Sequence, residues 1–527
     1  MVTNVGIGSW PARRARISPN RVALSQGDRT RTYAELAGRT RALAAALAEL
    51  GVAPGDRIAY LGANDVATFE TLFATGQLGA VFVPLNTRLA GAEIGYMLHD
   101  SGAAVLVHGP DSAGTVAAAD VTAAGVKHVV ALDPATSPVA GALEYEGTVA
   151  RGEGLPAVLH PVTLDDPCLI LYTSGTTGRP KGAILTHGNL TWNTINQLAH
   201  YDVASSDVVL CIAPLFHVTG LGQVTLPTLF KGGQVEVAPR FDPGWALRTI
   251  EERRITGFAA VPTMLQMMCE HVDWEQADVS SLRHVVYGGS PVSERTARAW
   301  LARGIQVLQG YGMTEASPGV YMAVREGSLE RPVSVGVPHF FTDVAILDGD
   351  TRRPAEDGVP GELLVSGPNV FGGYWGRPEE TAASFVDGTW FRTGDVVRVD
   401  PDGWAYAVDR VKDMIISGGE NIYPAEVEAV IAELEGVASA AVVGVPDERW
   451  GEVGMAFIVR RSGSDINETA VQKHLLERLA KYKVPKYFRF ADDLPRNATG
   501  KILRIRLRET ARQQFEDTAS STDREPA

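Results

Sequence analysis

One segment of eleven residues, Tyr172–Gly182, constrains this chain more than any other. It reads Tyr-Thr-Ser-Gly-Thr-Thr-Gly-Arg-Pro-Lys-Gly and directly follows the apolar run Cys168–Leu171. Its glycines let backbone N–H groups approach an anion closely, its hydroxyls add donors, and Lys181 adds a positive charge. This combination favours a polyphosphate-binding loop over a plain flexible turn, the other structure that such composition indicates.

A Walker A loop, and with it a P-loop phosphotransferase, is the obvious alternative. That motif ends in Gly-Lys-Ser/Thr and opens a helix. Here Pro180 precedes Lys181, Gly182 follows it, and Ala183–Thr186 has the composition of a strand. The segment is therefore predicted to be a strand–loop–strand hairpin, which disfavours the Walker A alternative.

Length and charge narrow the class of protein further. A chain of 527 residues is too long for one compact core, so about two to four structural units are expected. The formal net charge of −14 argues against general nucleic-acid binding, where a basic face dominates affinity. An anionic ligand must therefore be met by local cations.

The cysteines and apolar runs bear on the compartment. Cys168, Cys211 and Cys269 are far apart in apolar surroundings, which predicts buried thiols in a reducing compartment, not disulfides or a zinc site. No apolar run is long enough to span a bilayer, and none follows the cluster Arg13–Arg16 as in a signal peptide. We predict a cytoplasmic protein. Peripheral membrane contact and the oligomeric state, a homodimer included, stay open.

The order of helical and strand patterns predicts an α/β protein. A capping box at Thr32 opens a helix that ends at Leu50, and alternating strands and helices continue to about residue 330. Short strands with Asp/Gly turns follow to about residue 409. We predict a large N-terminal domain (1–411) of doubly wound sheets plus a small β subdomain. A small mobile α+β domain (412–514) and a disordered tail (515–527) complete the prediction.

Candidate functional residues come after predicted strands. The strand starting at Val208 leads to Pro214–His217, and three further strands end at Val261-Pro262, Gly288–Ser290 and Gly310–Glu315. Ligands in open α/β sheets bind beyond the carboxyl ends of the strands. The sequence therefore predicts four candidate sites, one after each of these strands.

Seven motifs along the chain together resemble one family. They are Tyr172–Gly182, Gly310–Glu315, Gly361–Leu363, Gly373–Trp375, Phe391–Asp395, Asp409–Asp413 and Pro495–Lys501. The chain resembles the AMP-forming adenylating enzymes, which include acyl-CoA synthetases, 4-coumarate–CoA ligases, luciferases and peptide-synthetase adenylation domains. The resemblance covers nearly the whole chain.

The resemblance implies a two-step reaction. A carboxylate attacks the α-phosphorus of ATP, which releases diphosphate and leaves an acyl-adenylate; a thiol, usually that of coenzyme A, then displaces AMP. A bare carboxylate acylates poorly because its leaving group would be an oxide, and AMP is a better leaving group. The implied cofactors are ATP, Mg²⁺ and coenzyme A.

The resemblance also implies a nucleotide site. Because both reactants of the first step are anions, charge neutralisation matters more there than acid–base chemistry. The implied ATP- and AMP-binding residues are Thr173, Ser174, Gly175, Thr176, Thr177, Gly178, Lys181, Gly289, Ser290, Gln309, Gly310, Tyr311, Thr314, Asp395, Arg410, Lys412 and Lys501. In this assignment Asp395 accepts the ribose hydroxyls and Tyr311 offers a flat face to adenine.

Four of the implied residues are catalytic. Lys501 would reach the attacking carboxylate and the α-phosphate, Thr314 would contact that phosphate, and Glu315 would hold Mg²⁺. His217 would position the acyl carboxylate. Without the other motifs, Glu315 is equally well explained as an acid at a helix N-terminus, Lys501 as a solvated cation and His217 as a structural histidine.

The second step involves a further set of implied residues. Lys412 occupies the hinge position of the family, so that the C-terminal domain rotates between the two steps. Gly418 and Gly419 would then line the path of the pantetheine arm of coenzyme A, since glycine lets backbone run close beside it.

The acid is the least determined part of the prediction. The implied acyl-binding residues are His217, Val218, Gly220, Tyr287, Gly312 and Met313. No aspartate near His217 could pair with an ammonium group, which disfavours amino acids. Gly220 and Gly222 are interpreted as leaving room for a chain or a ring. We predict a medium- or long-chain fatty acid, with an aryl or hydroxycinnamic acid as the alternative.

A catalytically silent nucleotide-binding scaffold is the remaining alternative class. It is disfavoured because Lys181, Glu315, Asp395, Arg410 and Lys501 all occur together.

Overall fold

The computed structural model describes residues 3–173, 180–289, 292–347, 358–410, 413–417, 420–447, 450–479, 481–496 and 502–522. The chain forms two compact units. The first comprises Met1–Val344 and Val365–Phe391, and the second comprises Ala345–Leu364 and Arg392–Ala527.

Helices and strands alternate along most of the chain. The helices are α1 (Trp10–Ile17), α2 (Tyr33–Glu49), α3 (Val66–Leu78), α4 (Gly91–Ser101), α5 (Ala113–Ala118), α6 (Tyr145–Glu153), α7 (His187–His200), α8 (Thr225–Lys231), α9 (Pro243–Glu252), α10 (Pro262–Cys269), α11 (Glu294–Ala302), α12 (Pro378–Ala383), α13 (Pro424–Ala432), α14 (Glu468–Leu476) and α15 (Arg504–Thr522). The strands are β1 (Val22–Gln26), β2 (Arg29–Thr32), β3 (Arg57–Leu61), β4 (Val81–Pro84), β5 (Ala103–His108), β6 (His128–Ala131), β7 (Leu143–Glu144), β8 (Pro167–Thr173), β9 (Lys181–Thr186), β10 (Val208–Cys211), β11 (Gln234–Val237), β12 (Gly257–Ala260), β13 (His284–Tyr287), β14 (Val307–Gly312), β15 (Gly319–Met322), β16 (Val337–Pro338), β17 (Asp343–Leu347), β18 (Gly361–Ser366), β19 (Gly373–Tyr374), β20 (Phe385–Val386), β21 (Trp390–Val399), β22 (Ala405–Arg410), β23 (Ile415–Ser417), β24 (Glu420–Ile422), β25 (Val437–Asp447), β26 (Gly451–Arg460) and β27 (Tyr487–Ala491).

A nine-stranded sheet in the first unit carries the predicted strand-end segments. Its strand order is β16-β15-β14-β13-β12-β10-β11-β1-β2. Strands β10, β12, β13 and β14 are neighbours and run parallel, so their carboxyl ends meet at one edge. The segments that follow these strands therefore begin at one edge of the sheet.

An eight-stranded sheet, β19-β9-β8-β4-β3-β5-β6-β7, forms the other half of this doubly wound unit. Strands β8 and β9 pair antiparallel, which confirms the predicted strand–loop–strand hairpin. Strand β19 pairs with the outer side of β9, with Tyr374 opposite Ala183. The short strand β19 thus brings a distant part of the chain to the stem of the hairpin.

Local capping explains where the helices begin. At the start of α2 the Thr32 hydroxyl accepts from the Glu35 N–H and the Glu35 carboxylate accepts from the Thr32 N–H, so the predicted capping box is present. Thr186 and Asn189 form the same reciprocal pair at α7. The cap fixes the start of α7 directly after hairpin strand β9.

The second unit contains a five-stranded sheet of its own, β24-β23-β26-β25 with β27 beside β26. Its core forms around Ile415, Val442 and Ile458, against residues of α13 and α14 such as Val427 and Leu475. This arrangement is the small α+β domain that the sequence predicts.

The second unit also includes the hairpin of β21 and β22 from Arg392 onward. The Asp409 carboxylate in this hairpin accepts the N–H of Ala425 at the start of α13, at 2.8 Å. This hydrogen bond ties the hairpin to the small α+β domain.

The predicted disordered tail is corrected in part. Helix α15 continues to Thr522, so residues 515–522 are helical, and residues 523–527 lie outside the described part. Residues 515–522 include Glu516 and Ala519, which favour a helix, and contain neither Gly nor Pro.

The cysteine prediction is confirmed in one respect, because Cys168, Cys211 and Cys269 are free thiols and the first two are buried. Burial raises the pKa of the Cys211 thiol to about 12 and that of Cys269 to about 11. Among the described residues, no helix is long and apolar enough to cross a membrane.

Close packing of α6 on α2 makes a testable prediction. A methyl group at Gly152 would come within 1.8 Å of the Ala42 carbonyl oxygen, whereas the space around Gly38 in α2 is open. We expect Gly152→Ala to lower the free energy of unfolding by about 1–3 kcal/mol. The matched Gly38→Ala should raise it by about 0.5–1 kcal/mol. Thermal unfolding midpoints would test this, and equal effects of the two substitutions would contradict it.

Candidate active site

The stem of the threonine-rich hairpin is well defined. Thr173 and Lys181 lie opposite each other at the ends of β8 and β9. The loop residues between them, Ser174, Gly175, Thr176, Thr177, Gly178 and Arg179, lie outside the described residues. The stem alone fixes where the predicted phosphate loop begins and ends.

Asp100 anchors this stem from the side. Its carboxylate accepts from the Tyr172 hydroxyl at 2.9 Å and from the Arg377 guanidinium at 2.9 Å. The Tyr96 hydroxyl donates to the Pro180 carbonyl at 3.3 Å, and the backbone N–H of Trp375 donates to the Gly182 carbonyl at 2.8 Å. Contacts on both strands hold the hairpin in one orientation.

The ammonium group of Lys181 has two neighbours. It forms an ion pair with the Glu380 carboxylate, and it lies 5.4 Å from the centre of the Tyr374 ring, within cation–π range. The position of Lys181, the predicted phosphate ligand, is thus set by residues almost two hundred positions further along the chain.

Glu315, the predicted magnesium ligand, reaches the same place. Its carboxylate accepts from the Tyr374 hydroxyl at 2.9 Å, and its backbone carbonyl accepts from the Phe371 N–H at 2.8 Å. Burial and the adjacent Glu315 carboxylate raise the pKa of Tyr374, so its hydroxyl stays a donor at neutral pH. Tyr374 therefore joins the predicted metal ligand to the predicted phosphate lysine.

This donor set fits Mg²⁺ that arrives with a nucleotide. Within the described residues no group of three or more His, Cys, Asp or Glu side chains could hold a metal ion alone. Mg²⁺ commonly binds through one or two carboxylates with substrate phosphates and water completing the octahedron. Glu315, with the neighbouring Thr314 hydroxyl, can supply the protein's share.

Next to this centre, Tyr287 at the end of β13 donates to Gln309 of β14 at 2.9 Å. Tyr287 is fully buried and belongs to the same hydrophobic core cluster as Phe258 and Trp300. Its hydroxyl thus holds the amide of Gln309, and its role at the acyl pocket stays a prediction.

Two predicted features of the acyl pocket differ in the structure. A methyl group at Gly220 would lie 2.3 Å from the Pro214 carbonyl, and one at Gly222 would lie 2.6 Å from Pro318. The interpretation that these glycines leave room for substrate is therefore wrong, because neighbouring chain segments fill that space. At Gly312, one of the implied acyl-binding residues, a methyl group would meet the Pro318 carbonyl, so neighbouring backbone fills the space there as well. Val218 and Met313 pack against the main core of the first unit.

His217 lies in the segment between β10 and a single π-helical turn, Thr219–Gln223. Its N–H donates to the Pro214 carbonyl at 3.1 Å, and its Nε2 is buried and makes no hydrogen bond to the described residues. Burial, aided by Arg88, lowers the pKa of His217 to about 4. The imidazole is therefore neutral at pH 7 and offers hydrogen bonding without charge.

In the second unit, the two predicted ribose-binding residues lie opposite each other on neighbouring strands. Asp395 of β21 stands opposite Arg410 of β22, and Asp395 is 7% exposed. Its backbone N–H donates to the Thr393 hydroxyl at 3.1 Å. The side chain of Arg410 lies outside the described part, as do Ser290, Lys412, Gly418, Gly419 and Lys501. The roles of all these residues stay predictions.

The sequence did not indicate that Tyr374 would contact Glu315 and Lys181, or that Glu380 would pair with Lys181. Tyr374 was part of a motif, but nothing in its local pattern indicates a partner at position 315. Glu380 looks like an acid in the first turn of α12, which the helix dipole alone explains. Only the pairing of β19 with β9 connects them to the hairpin.

These features are typical of an α/β enzyme that binds a nucleotide. They are Lys181 at the end of the hairpin, the Glu315 carboxylate and the parallel strands that end at one edge of the sheet. Residues 11–375 match the AMP-binding enzyme family, and residues 426–501 match its C-terminal domain. The chain therefore belongs to the AMP-binding enzyme family, within which it is an AMP-forming acid–CoA ligase. Such ligases use ATP, coenzyme A and Mg²⁺.

Individual relatives cover almost the whole chain. A feruloyl-CoA synthase of Amycolatopsis sp is 52% identical over 96% of this chain and 99% of its own length. The long-chain-fatty-acid–CoA ligase FadD13 of Mycobacterium tuberculosis is 37% identical over 95% of this chain and 98% of its own. The solved structure of ATP-bound MatB from Rhodopseudomonas palustris superposes with a TM-score of 0.87 at 33% identity, covering 95% and 98%. The α/β fold predicted from the sequence is confirmed.

The hydroxyl of Tyr374 provides a test of the metal site. Tyr374→Phe removes the hydrogen bond to Glu315 and keeps the ring beside Lys181. We expect the Mg²⁺ concentration for half-maximal adenylate formation to rise several-fold, because the carboxylate loses one orienting donor. Diphosphate release at varied Mg²⁺ measures this change.

A matched control for this experiment is Tyr145→Phe. Tyr145 is a buried tyrosine that donates to the Glu70 carboxylate at 3.0 Å, in another part of the first unit. The substitution Tyr145→Phe should lower the unfolding midpoint without changing the Mg²⁺ concentration that the reaction requires. An unchanged requirement in Tyr374→Phe would contradict the orienting role.

The lowered pKa of His217 predicts a flat pH response. From pH 5.5 to 8.5 the imidazole stays neutral in the folded enzyme, because its pKa is about 4. We expect His217→Gln to lower kcat/KM for the acid about tenfold, by loss of a hydrogen bond, without altering the shape of the pH profile. A wild-type inflection near pH 6.5 that disappears in the variant would contradict this prediction.

Proposed function

We propose that this acid–CoA ligase activates aromatic acids of the hydroxycinnamate class. The observation that carries the proposal is the 52% identity to a feruloyl-CoA synthase along nearly the full length of both chains, against 37% to a fatty-acid ligase. Of the two acid classes predicted from the sequence, the comparisons favour the second.

Polar side chains on α7 support this choice. Gln197 is fully buried, and neither end of its amide makes a hydrogen bond to the described residues; both ring nitrogens of buried His339 lack one as well. A methyl group at Gly319 would lie 3.1 Å from Gln197 Nε2 and 2.6 Å from His339 Nε2, so the two side chains share one small region. Buried polar groups need partners. We infer that a polar ring substituent of the acid would supply such partners in this region, whereas an alkyl chain would not.

The chemistry follows the family reaction. The acid carboxylate attacks the α-phosphorus of ATP, diphosphate leaves, and coenzyme A then displaces AMP from the acyl-adenylate. We assign Lys181 and the hairpin to the β- and γ-phosphates, Glu315 to Mg²⁺, and Asp395 with Arg410 to the ribose. Lys501 would neutralise the attacking carboxylate, and Lys412 would be the hinge between residues 1–411 and the 412–514 domain.

A cytoplasmic location agrees with this function. The free, buried thiols of Cys168 and Cys211 fit a reducing compartment. In that compartment the enzyme would have access to both ATP and coenzyme A.

The test is a diphosphate-release screen with coenzyme A present. Ferulate, 4-coumarate, cinnamate, benzoate, octanoate and palmitate would be compared at equal concentration. We expect kcat/KM for ferulate or 4-coumarate to exceed that for either fatty acid by at least tenfold. Reactions lacking the acid give the background, and AMP, not ADP, should form. A higher kcat/KM for palmitate than for any aromatic acid would overturn the proposal.

A further inference from the structure

One buried amide in the first unit stands apart from the nucleotide chemistry. Gln223 ends the π-helical turn that begins two residues after His217. Its backbone carbonyl accepts from the Tyr201 hydroxyl, and the preceding carbonyl, of Gly222, accepts from the Asn193 amide at 2.8 Å. The side chain is therefore carried by a firmly held backbone.

The amide is inserted between the ends of two neighbouring strands. A methyl group at Gly288, just after β13, would lie 3.3 Å from Gln223 Nε2, and one at Gly310 of β14 would lie 3.2 Å away. Both glycines have negative φ, so a backbone requirement does not explain them. The Gly310 carbonyl oxygen is nearer still to the Gly288 methyl position, at 2.9 Å, so Gly310 is the glycine whose missing side chain leaves the space that the Gln223 amide occupies.

The oxygen of this amide lacks a partner. Gln223 is 6% exposed, and its Oε1 is buried without a hydrogen bond to any described residue. A buried carbonyl without a donor is costly, so a donor from water or a ligand is expected there. The lone oxygen lies on the same segment as the unpartnered Nε2 of His217 and at the same strand edge as the nucleotide residues Gln309 and Gly310.

The surroundings favour a compact polar ligand group at this point. Ser317, whose carbonyl lies 3.0 Å from where a methyl group on Gly222 would be, has a buried hydroxyl without a partner. The adjoining α7 wall carries the unpartnered amide of Gln197. These side chains accept and donate hydrogen bonds but carry no charge, which suits a phenol and not a carboxylate or an ammonium.

The geometry points to Gln223 as the residue that selects the acid, by accepting a hydrogen bond from a hydroxyl on the aromatic ring of the substrate. This inference rests on the proposed activation of hydroxycinnamates and adds the residue that recognises the ring substituent. A site built to hydrogen-bond a substrate hydroxyl rejects the analogue without it, because its own buried group is then left unpaired.

The experiment compares 4-coumarate with cinnamate, which differ by one ring hydroxyl. In the wild type we expect kcat/KM for 4-coumarate to exceed that for cinnamate by about tenfold to a hundredfold. Gln223→Leu, similar in size without the amide, should reduce that ratio to near one, by lowering the value for 4-coumarate. KM for ATP should not change. Gln266→Leu, on the exposed side of α10, is the matched control and should keep the wild-type ratio.

The outcomes separate this inference from the proposed function. Fatty acids as the preferred substrates would remove the proposed function itself. Aromatic acids as preferred substrates, with a ratio that Gln223→Leu leaves intact, would overturn the role of Gln223 alone. Should Gln223→Leu not fold, as judged by its unfolding midpoint, the wild-type comparison of 4-coumarate, 4-methoxycinnamate and cinnamate decides. Equal kcat/KM for the three would overturn the inference, because only the first can donate.

Discussion

The proposed site has to bind a polyphosphate on a chain whose own net charge is −14, so local contacts must position its few cations. Tyr374 makes the central contact, because its hydroxyl donates to Glu315 and its ring lies beside the Lys181 ammonium. In the proposed site the two groups carry opposite charges and would serve opposite partners, a metal ion for Glu315 and a phosphate for Lys181.

Much of the fold was predictable because its signals are local. Apolar runs indicate the strands, and the Thr32 capping box marks the start of α2. The anchoring of the hairpin was not predictable in the same way. Glu380 contacts Lys181 across almost two hundred residues, and this contact depends on a two-residue strand, β19, with little sequence pattern of its own.

Glycines show a second limit of sequence reasoning. At Gly220 and Gly312 the missing side chain makes room for neighbouring backbone, while at Gly310 it makes room for the amide of Gln223. The residue is glycine in each case, and only the packing around it shows what fills the space. The polar residues of α7 present a similar ambiguity, because buried Gln197 resembles the solvent-facing residue of an ordinary amphipathic helix.

The ion pair between Lys181 and Glu380 has a consequence for which anions the hairpin accepts. In the proposed site, a small anion such as chloride or sulfate would have to displace the Glu380 carboxylate from Lys181, and this loss would offset its electrostatic gain. A nucleoside triphosphate carries several charges and its own divalent cation, which would compensate the displaced carboxylate. We therefore expect the hairpin to favour such a nucleotide over the smaller anions around it.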